Sequence, residues 1–267
     1  MTNPLLDFSG LPRFDAIRPE HVAPAIDRLI AEADAAVRAA ETVAPVSWER
    51  FVVPLDDATE RLARAWGQVV HLEGVANTPA LREAYNAQLP KVTRFWSTLG
   101  QNLALFAQYR ALAESPAFAG DRDTRRKVVE NALRDFRLGG ADLPDAQKAR
   151  YGEIREELSA LSATFSQHVL DATDAYALHI EDEARLAGIP ADVVAACRAA
   201  AEKAGKPGWL LGLHMPVYLP VQAYADDRDL RATLYRANAV RASELGDDAA
   251  LDNGPLIARI LALRAEL

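Results

Sequence analysis

From Pro144 to Thr173 the chain places apolar residues at alternating three- and four-residue steps: Tyr151, Ile154, Leu158, Leu161, Phe165, Val169 and Ala172. That spacing gathers all seven on one face of an α-helix and scatters them over both faces of a strand. Thirty residues at 1.5 Å each make a rod of roughly 45 Å, longer than a small domain is wide. A chain with such an element must lay other helices along it, so the expected fold is mainly α. The heptad-like spacing also fits a coiled coil, but the polar faces are not strongly zippered, and a long helix within a multi-helix bundle is the expectation.

Other segments repeat the helical period. Val22, Ile26, Leu29, Ile30, Ala33 and Val37 mark a first amphipathic helix, with Pro24 expected in its opening turn. Ser47 is placed to cap a second, lined by Trp48, Phe51, Val52, Leu55, Leu62, Trp66 and Val69, and Pro54 should kink it or delay its start. Thr78-Pro79 opens a third, which Pro90 is expected to divide; Leu81, Tyr85 and Leu89 lie before the break, and Val92, Phe95, Trp96, Leu99 and Leu103 after it. Arg122 to Arg137 forms a short helix ending at Gly139-Gly140, and Asp226 to Arg241 another, with Leu230, Leu234 and Ala237 inside.

Residues 175–220 depart from this rule. Tyr176, Leu178 and Ile180 alternate with Ala177, His179 and Glu181, a period of two. Trp209 to Pro220 is apolar and proline-punctuated and reads as a second strand, with an alanine-rich helix from Ile189-Pro190 to Gly205 between them. A small β element attached to a helical body follows. Residues 1–140 are read as an N-terminal helical region and 141–267 as the long helix, the small α/β element and a last helix, within one lobe.

That last helix has a start and no stop. Asn253 can cap it and Pro255 suits its first turn, while Leu256, Ile260, Leu263 and Leu267 form one stripe expected to be buried. No Gly, Asn or Pro follows, so Leu267 is expected to be a boundary within a longer chain. Removing a remainder should leave part of the Leu256/Ile260/Leu263 stripe uncovered.

Composition narrows the function classes. Thirty Lys and Arg against 38 Asp and Glu give a net charge of −8, the wrong sign for a nucleic-acid backbone or an anionic membrane. The compact basic cluster Arg122, Arg125, Arg126 and Lys127 is interleaved with Asp121, Asp123 and Glu130 and reads as a solvated helix face. No apolar run is long enough to span a bilayer and the N-terminus lacks a signal-peptide pattern, so a cytoplasmic protein is expected. The lone Cys197 sits among small apolar residues and reads as a buried, inert thiol.

Chemistry-bearing motifs are missing: no nucleophile elbow, dinucleotide fingerprint, phosphate loop or calcium loop, and no His-Glu-x-x-His. His21 suits a helix start, His71 a helix end, and His168 flanks the long apolar stripe. His179 is the most ligand-like, since a strand would bring it to one face with Glu181 and Glu183, although that face is most simply the wet one. His214, in an apolar setting, reads as a core histidine. The pairs Asp56-Asp57, Glu156-Glu157 and Asp226-Asp227 read as solvation and capping. No catalytic, cofactor-binding or metal-binding residue is assigned.

Several stretches in order resemble one family. They are Leu11-Pro12-Arg13-Phe14 through His21-Val22, Leu133-Arg134-Asp135-Phe136-Arg137-Leu138-Gly139-Gly140 through Pro144, and Phe165 with Val169-Leu170-Asp171-Ala172-Thr173. Gly208-Trp209-Leu210-Leu211, Met215 to Val221, Leu230 to Ala237, Arg241-Ala242-Ser243 and Asp252-Asn253 to Leu267 continue the series. Together they are similar to the opening of the oligopeptidase A group of zinc metallopeptidases, with thimet oligopeptidase and neurolysin. The resemblance implies the N-terminal lobe of a two-lobed helical enzyme whose narrow channel admits short peptides. It implies zinc in the intact parent, held by a His-Glu-Phe-Gly-His type helix and a downstream Glu in a C-terminal catalytic lobe. None of those ligands has a counterpart here, so this stretch is expected to supply channel wall and no zinc site, and to be inactive alone. A non-catalytic helical module that binds peptides or proteins is the alternative, and an enzyme using the His179 carboxylate cluster is a third reading.

Overall fold

The computed structural model describes residues 3–120 and 122–267. Met1 and Thr2 of the N-terminus, and Asp121 beside the basic cluster, lie outside the described residues. The chain divides into two compact units, one running to Ala160 and the other Leu161–Glu266.

The first unit is helical among its described residues: α1 (Pro19–Ala40), α2 (Val53–Val75), α3 (Pro79–Gly100), α4 (Leu103–Ala113), the single turn α5 (Pro116–Ala119), α6 (Asp123–Leu138) and the first half of α7 (Asp145–Ala175). The stripe Val22, Ile26, Leu29 and Ala33 of α1 is fully buried, because α1 packs along both α2 and α3. Phe51, Leu55, Leu105, Leu112, Val129 and Phe136 close a second core. Side-chain caps set the starts: Thr78 Oγ1 accepts from Leu81 N at 3.2 Å and Asn102 Oδ1 from Leu105 N at 3.0 Å.

The prolines behave differently from expectation in two places. Pro90 does not divide the third helix, and Pro24 lies in the second turn of α1, not the first. A helical proline leaves the carbonyl four residues earlier without its donor. Pro24, Pro90 and the residues owning those carbonyls, Glu20 and Asn86, are all exposed. At exposed residues water can bond to a carbonyl that no helical donor reaches, so neither helix has to break. Pro54 does delay its helix. Ser47 Oγ accepts from Arg50 N at 3.3 Å to open one π-helical turn, Trp48–Val52, and α2 proper begins at Val53. Leu103 belongs to the separate helix α4, capped by Asn102.

The second unit holds the rest of α7, then β1 (Leu178–Ile180), α8 (Ala191–Lys203), β2 (Trp209–Leu211), α9 (Met215–Tyr224), α10 (Arg228–Val240) and α11 (Gly254–Glu266). The strands are antiparallel, with Leu178 opposite Leu211 and Ile180 opposite Trp209. They share one core with α8, α9 and α10 through Leu186, Cys197, Leu213, Val221, Leu230 and Leu234. The long second strand expected from Trp209 to Pro220 is corrected here. Pairing stops at Leu211, and Met215–Tyr224 is a helix with Pro216 in its first turn and Tyr218 and Val221 buried at helical spacing.

Two further expectations change. Of the seven residues on the α7 stripe only Ile154 is fully buried, and the others are half-buried. On α11, Leu263 is fully buried and Leu256 and Ile260 half-buried, whereas Leu267 is 51% exposed, with Ile257 and Leu261 also exposed.

Candidate functional site

The five histidines are dispersed. His21 Nδ1 accepts from Arg18 N at 3.0 Å, closing the first turn of α1. His71 is exposed against the Phe14 ring, 5.1 Å between centroids, while neighbouring Glu73 is buried and accepts from Asn77 Nδ2 at 3.3 Å. His179 Nε2 donates to the Pro207 carbonyl at 2.6 Å. Its strand ends at Ile180 and Glu183 begins a 3₁₀ turn, so the His179/Glu181/Glu183 alternation is not continued. His214 is exposed rather than in the core, and its Nε2 lies 2.8 Å from Asp174 Oδ1. It precedes the first turn of α9, where a polar side chain stays in water. Among the described residues, no three His, Cys, Asp or Glu side chains group to hold a metal ion.

The remaining sequence candidates have structural explanations. Burial pushes the Cys197 thiol up and disfavours thiolate. Arg125 pairs with Glu49 at 3.0 Å and lies 4.9 Å from the Trp48 ring centre, Arg126 pairs with Asp123, and Lys127 meets Glu130 at 3.3 Å. Glu156 holds Arg94 at 2.9 Å. Asp227 caps α10 through Leu230 N at 3.0 Å and takes Arg185 Nε at 2.8 Å. These two contacts, the cap first, hold its carboxyl below the usual range.

The second unit does assemble a polar site that the sequence did not indicate. Asn253 is 2% exposed, and both ends of its amide are used. Its Nδ2 donates to the Phe165 carbonyl of α7 at 3.1 Å, and its Oδ1 lies 3.0 Å from His168 Nδ1. Because a carbonyl can only accept, the amide orientation is fixed, and His168 Nδ1 must carry the proton it donates to Oδ1. The Asn253 backbone N–H reaches the Ala242 carbonyl at 3.1 Å, and its own carbonyl receives Ile257 N at 2.9 Å. The side chain expected to cap α11 is therefore turned to α7, and Asp252 Oδ1 takes Gly254 N at 2.8 Å instead.

This latch adjoins a cleft of about 350 Å³ lined by Tyr176, Leu213, Val240, Arg241, Asp247 and Asp248, among others. Arg241 Nη1 donates to the Asn238 carbonyl at 2.7 Å and also to its side-chain oxygen, while its buried Nε has no partner among the described residues. Ala242 has φ of 51°, a left-handed conformation rare outside glycine, which its carbonyl's bond to Asn253 helps to hold. Burial, then nearby Asp247, pushes the Tyr176 hydroxyl up, so it stays a neutral donor. The cleft offers donors and acceptors of both charges, and no His or Cys lines it. It can hold polar groups of a chain by hydrogen bonding.

Comparison with known proteins follows the same outline. The family described as "Neurolysin/Thimet oligopeptidase, N-terminal domain" matches residues 26–148. Oligopeptidase A of Salmonella typhimurium is 45% identical over the whole of this chain, and that of Haemophilus influenzae 42%. The chain belongs to the neurolysin/thimet oligopeptidase family. It spans only 40% and 39% of the length of those two relatives. Dipeptidyl carboxypeptidase of Salmonella typhimurium is more distant, 29% identical over 98% of the chain and 39% of its own length. Family membership accounts for the resembling stretches recurring in order. The latch joins two of them, Phe165 to Thr173 and Asp252 to Leu267, and the cleft adds a third, Arg241-Ala242-Ser243.

Proposed function

We propose that this chain is the N-terminal part of a peptide-degrading oligopeptidase, in which it forms part of the wall of a substrate channel and cuts no bond itself. One observation carries the reading: identity of 42–45% with three oligopeptidases A over the full chain, which spans about two fifths of their length. The two units supply packed helices, several with side-chain caps, the kind of scaffold on which peptides are confined and oriented for chemistry carried out by other residues. Zinc belongs, on this reading, to the part of the parent enzyme beyond these residues. Among the described residues no three His, Cys, Asp or Glu side chains group to hold a metal ion, and no step is assigned to one. No helix among the described residues is long and apolar enough to cross a membrane; relatives from Arabidopsis thaliana are described as a probable cytosolic and as an organellar oligopeptidase A.

The test is hydrolysis of an internally quenched fluorescent peptide. This chain alone, with or without added zinc, should give no turnover. Co-expression with the remaining C-terminal part of the Salmonella typhimurium relative should restore it. Metal-dependent cleavage by the isolated chain that survives removal of contaminating proteases would overturn the reading. A stop codon directly after Leu267 in the gene would favour a free-standing binding module.

A further inference from the structure

The first unit carries a cleft of its own, of about 370 Å³, between α2, α3, α4 and α6. Its apolar lining comes from Leu55, Leu99, Leu105, Phe136 and Trp96. Its charged groups share one sign. Asp56 and Asp135 line it, and no Lys, Arg or His does. Asp135 is engaged by Arg134 on the surface at 2.8 Å, whereas the Asp56 carboxylate has no hydrogen-bond or ion-pair partner among the described residues. Tyr109 also lines the cleft, its ring held edge-on by Phe51, with centroids 4.7 Å apart, and its hydroxyl likewise has no partner among the described residues.

Such a volume lies at the lower end of the range for pockets that take small ligands. An apolar cleft that also presents the exposed, unpaired Asp56 carboxylate and a neutral phenol oxygen suits one common shape, an aliphatic stem carrying a cation. We propose that this cleft is a binding site for a basic side chain, lysine or arginine, of a peptide, with the methylene stem on Leu55, Leu99, Leu105 and Phe136 and the charged head at Asp56 and Tyr109. Charge complementarity selects this occupant over an acidic or purely apolar one: an acidic group would face two carboxylates, and an apolar one would leave Asp56 and Tyr109 unused. Planar guanidinium also suits the pair better than ammonium, since it can donate to carboxylate and phenol oxygens together. That the side chain arrives on a peptide rests on the preceding proposal. The recognition chemistry does not.

The experiment is a two-dimensional amide NMR titration of this chain with three capped amino acids: Nα-acetyl-arginine amide, its neutral citrulline counterpart and Nα-acetyl-glutamate amide. Arginine should give saturable shifts at the amides around Leu55, Leu105 and Phe136, at roughly millimolar affinity for a ligand of that size. Citrulline should bind about threefold to fivefold more weakly, the scale of one exposed ion pair, and glutamate should not saturate. D56N should bring arginine down to the citrulline level and leave citrulline unchanged, whereas D57N, which alters a residue outside the cleft, should change neither. Equal binding of arginine and citrulline, no effect of D56N, or no saturable shift would each overturn the proposal. No peptide bond is cut in this titration, so its failure would leave the channel-wall reading untouched, and turnover by the isolated chain would leave these shifts as they are.

Discussion

Replacing Asn253 by alanine removes the side chain that ties α7 to the start of α11 and leaves both helices otherwise intact. Two hydrogen bonds are lost, one to the Phe165 carbonyl and one from His168 Nδ1. Each is worth about 0.5–1.5 kcal/mol net, so the expected loss is about 1–3 kcal/mol. The upper end is moderated by what remains. Phe165 lies inside α7, where its carbonyl keeps the helical donor four residues on, and half-buried His168 can turn to water. Hydrogen exchange read by mass spectrometry on peptides covering 161–175 and 253–267 measures this locally. A loss near 2 kcal/mol should speed exchange there roughly 30-fold, with α1 unchanged. Asn253→Asp tests the donor direction: at neutral pH an oxygen would face the Phe165 carbonyl, and exchange should exceed that of the alanine variant. In ¹⁵N spectra the His168 proton should lie on Nδ1. Unchanged exchange in the alanine variant, an equal rise in α1, or a proton on Nε2 would refute the latch.

Three other outcomes follow from single features. Pro90→Ala should raise thermal stability by about 1–3 kcal/mol, because an exposed proline inside α3 gives way to a residue that restores a helical hydrogen bond; a lower melting temperature by circular dichroism would contradict this. Gly208 has φ of 79° and an added Cβ would lie 2.2 Å from the Ile180 carbonyl, whereas at Gly205, φ 68°, nothing lies within 4 Å. Gly205→Ala should therefore cost about 1–2 kcal/mol and Gly208→Ala clearly more in urea unfolding, with β1–β2 exchange accelerated only in the latter. Burial, with Asp56 second, pushes the Tyr109 hydroxyl from 10.0 up to about 12. A raised folded value means stability is full below pH 10 and falls as pH rises from 10 to 12. Tyr109→Phe should flatten that slope in alkaline melting curves.

Most helices were legible because helical order is local. The stripes of α1, α2 and α3 sit in windows short enough for one apolar face to reveal them, and Ser47 and Thr78 sit where their hydroxyls cap. The region after Trp209 was not legible in this way. An apolar run punctuated by prolines fits a strand or a buried helix equally, and only packing of Tyr218 and Val221 into the core decides for helix. Pro90 departs from its expectation for a related reason: solvent access to the carbonyl it leaves without a helical donor softens the break, and the exposure of Asn86 is a property of the packed unit. The apolar neighbours of His214 suggest the core, yet the turn into α9 carries it to the surface.

The sites show the same division. Resemblance in eight stretches was enough to place the chain in its family, because family residues are retained in order along the chain and need no coordinates to be seen. Asn253 and His168, however, stand 85 residues apart, and Asp56 and Asp135 meet one cleft from different helices. By itself the sequence determined the helical class, most helix starts and the kinship, each carried by neighbours within a few turns or by order along the chain. Tertiary structure alone decided which polar side chains are buried together and which carboxylate is left unpaired, since burial and pairing depend on residues brought close only by the packing of distant helices.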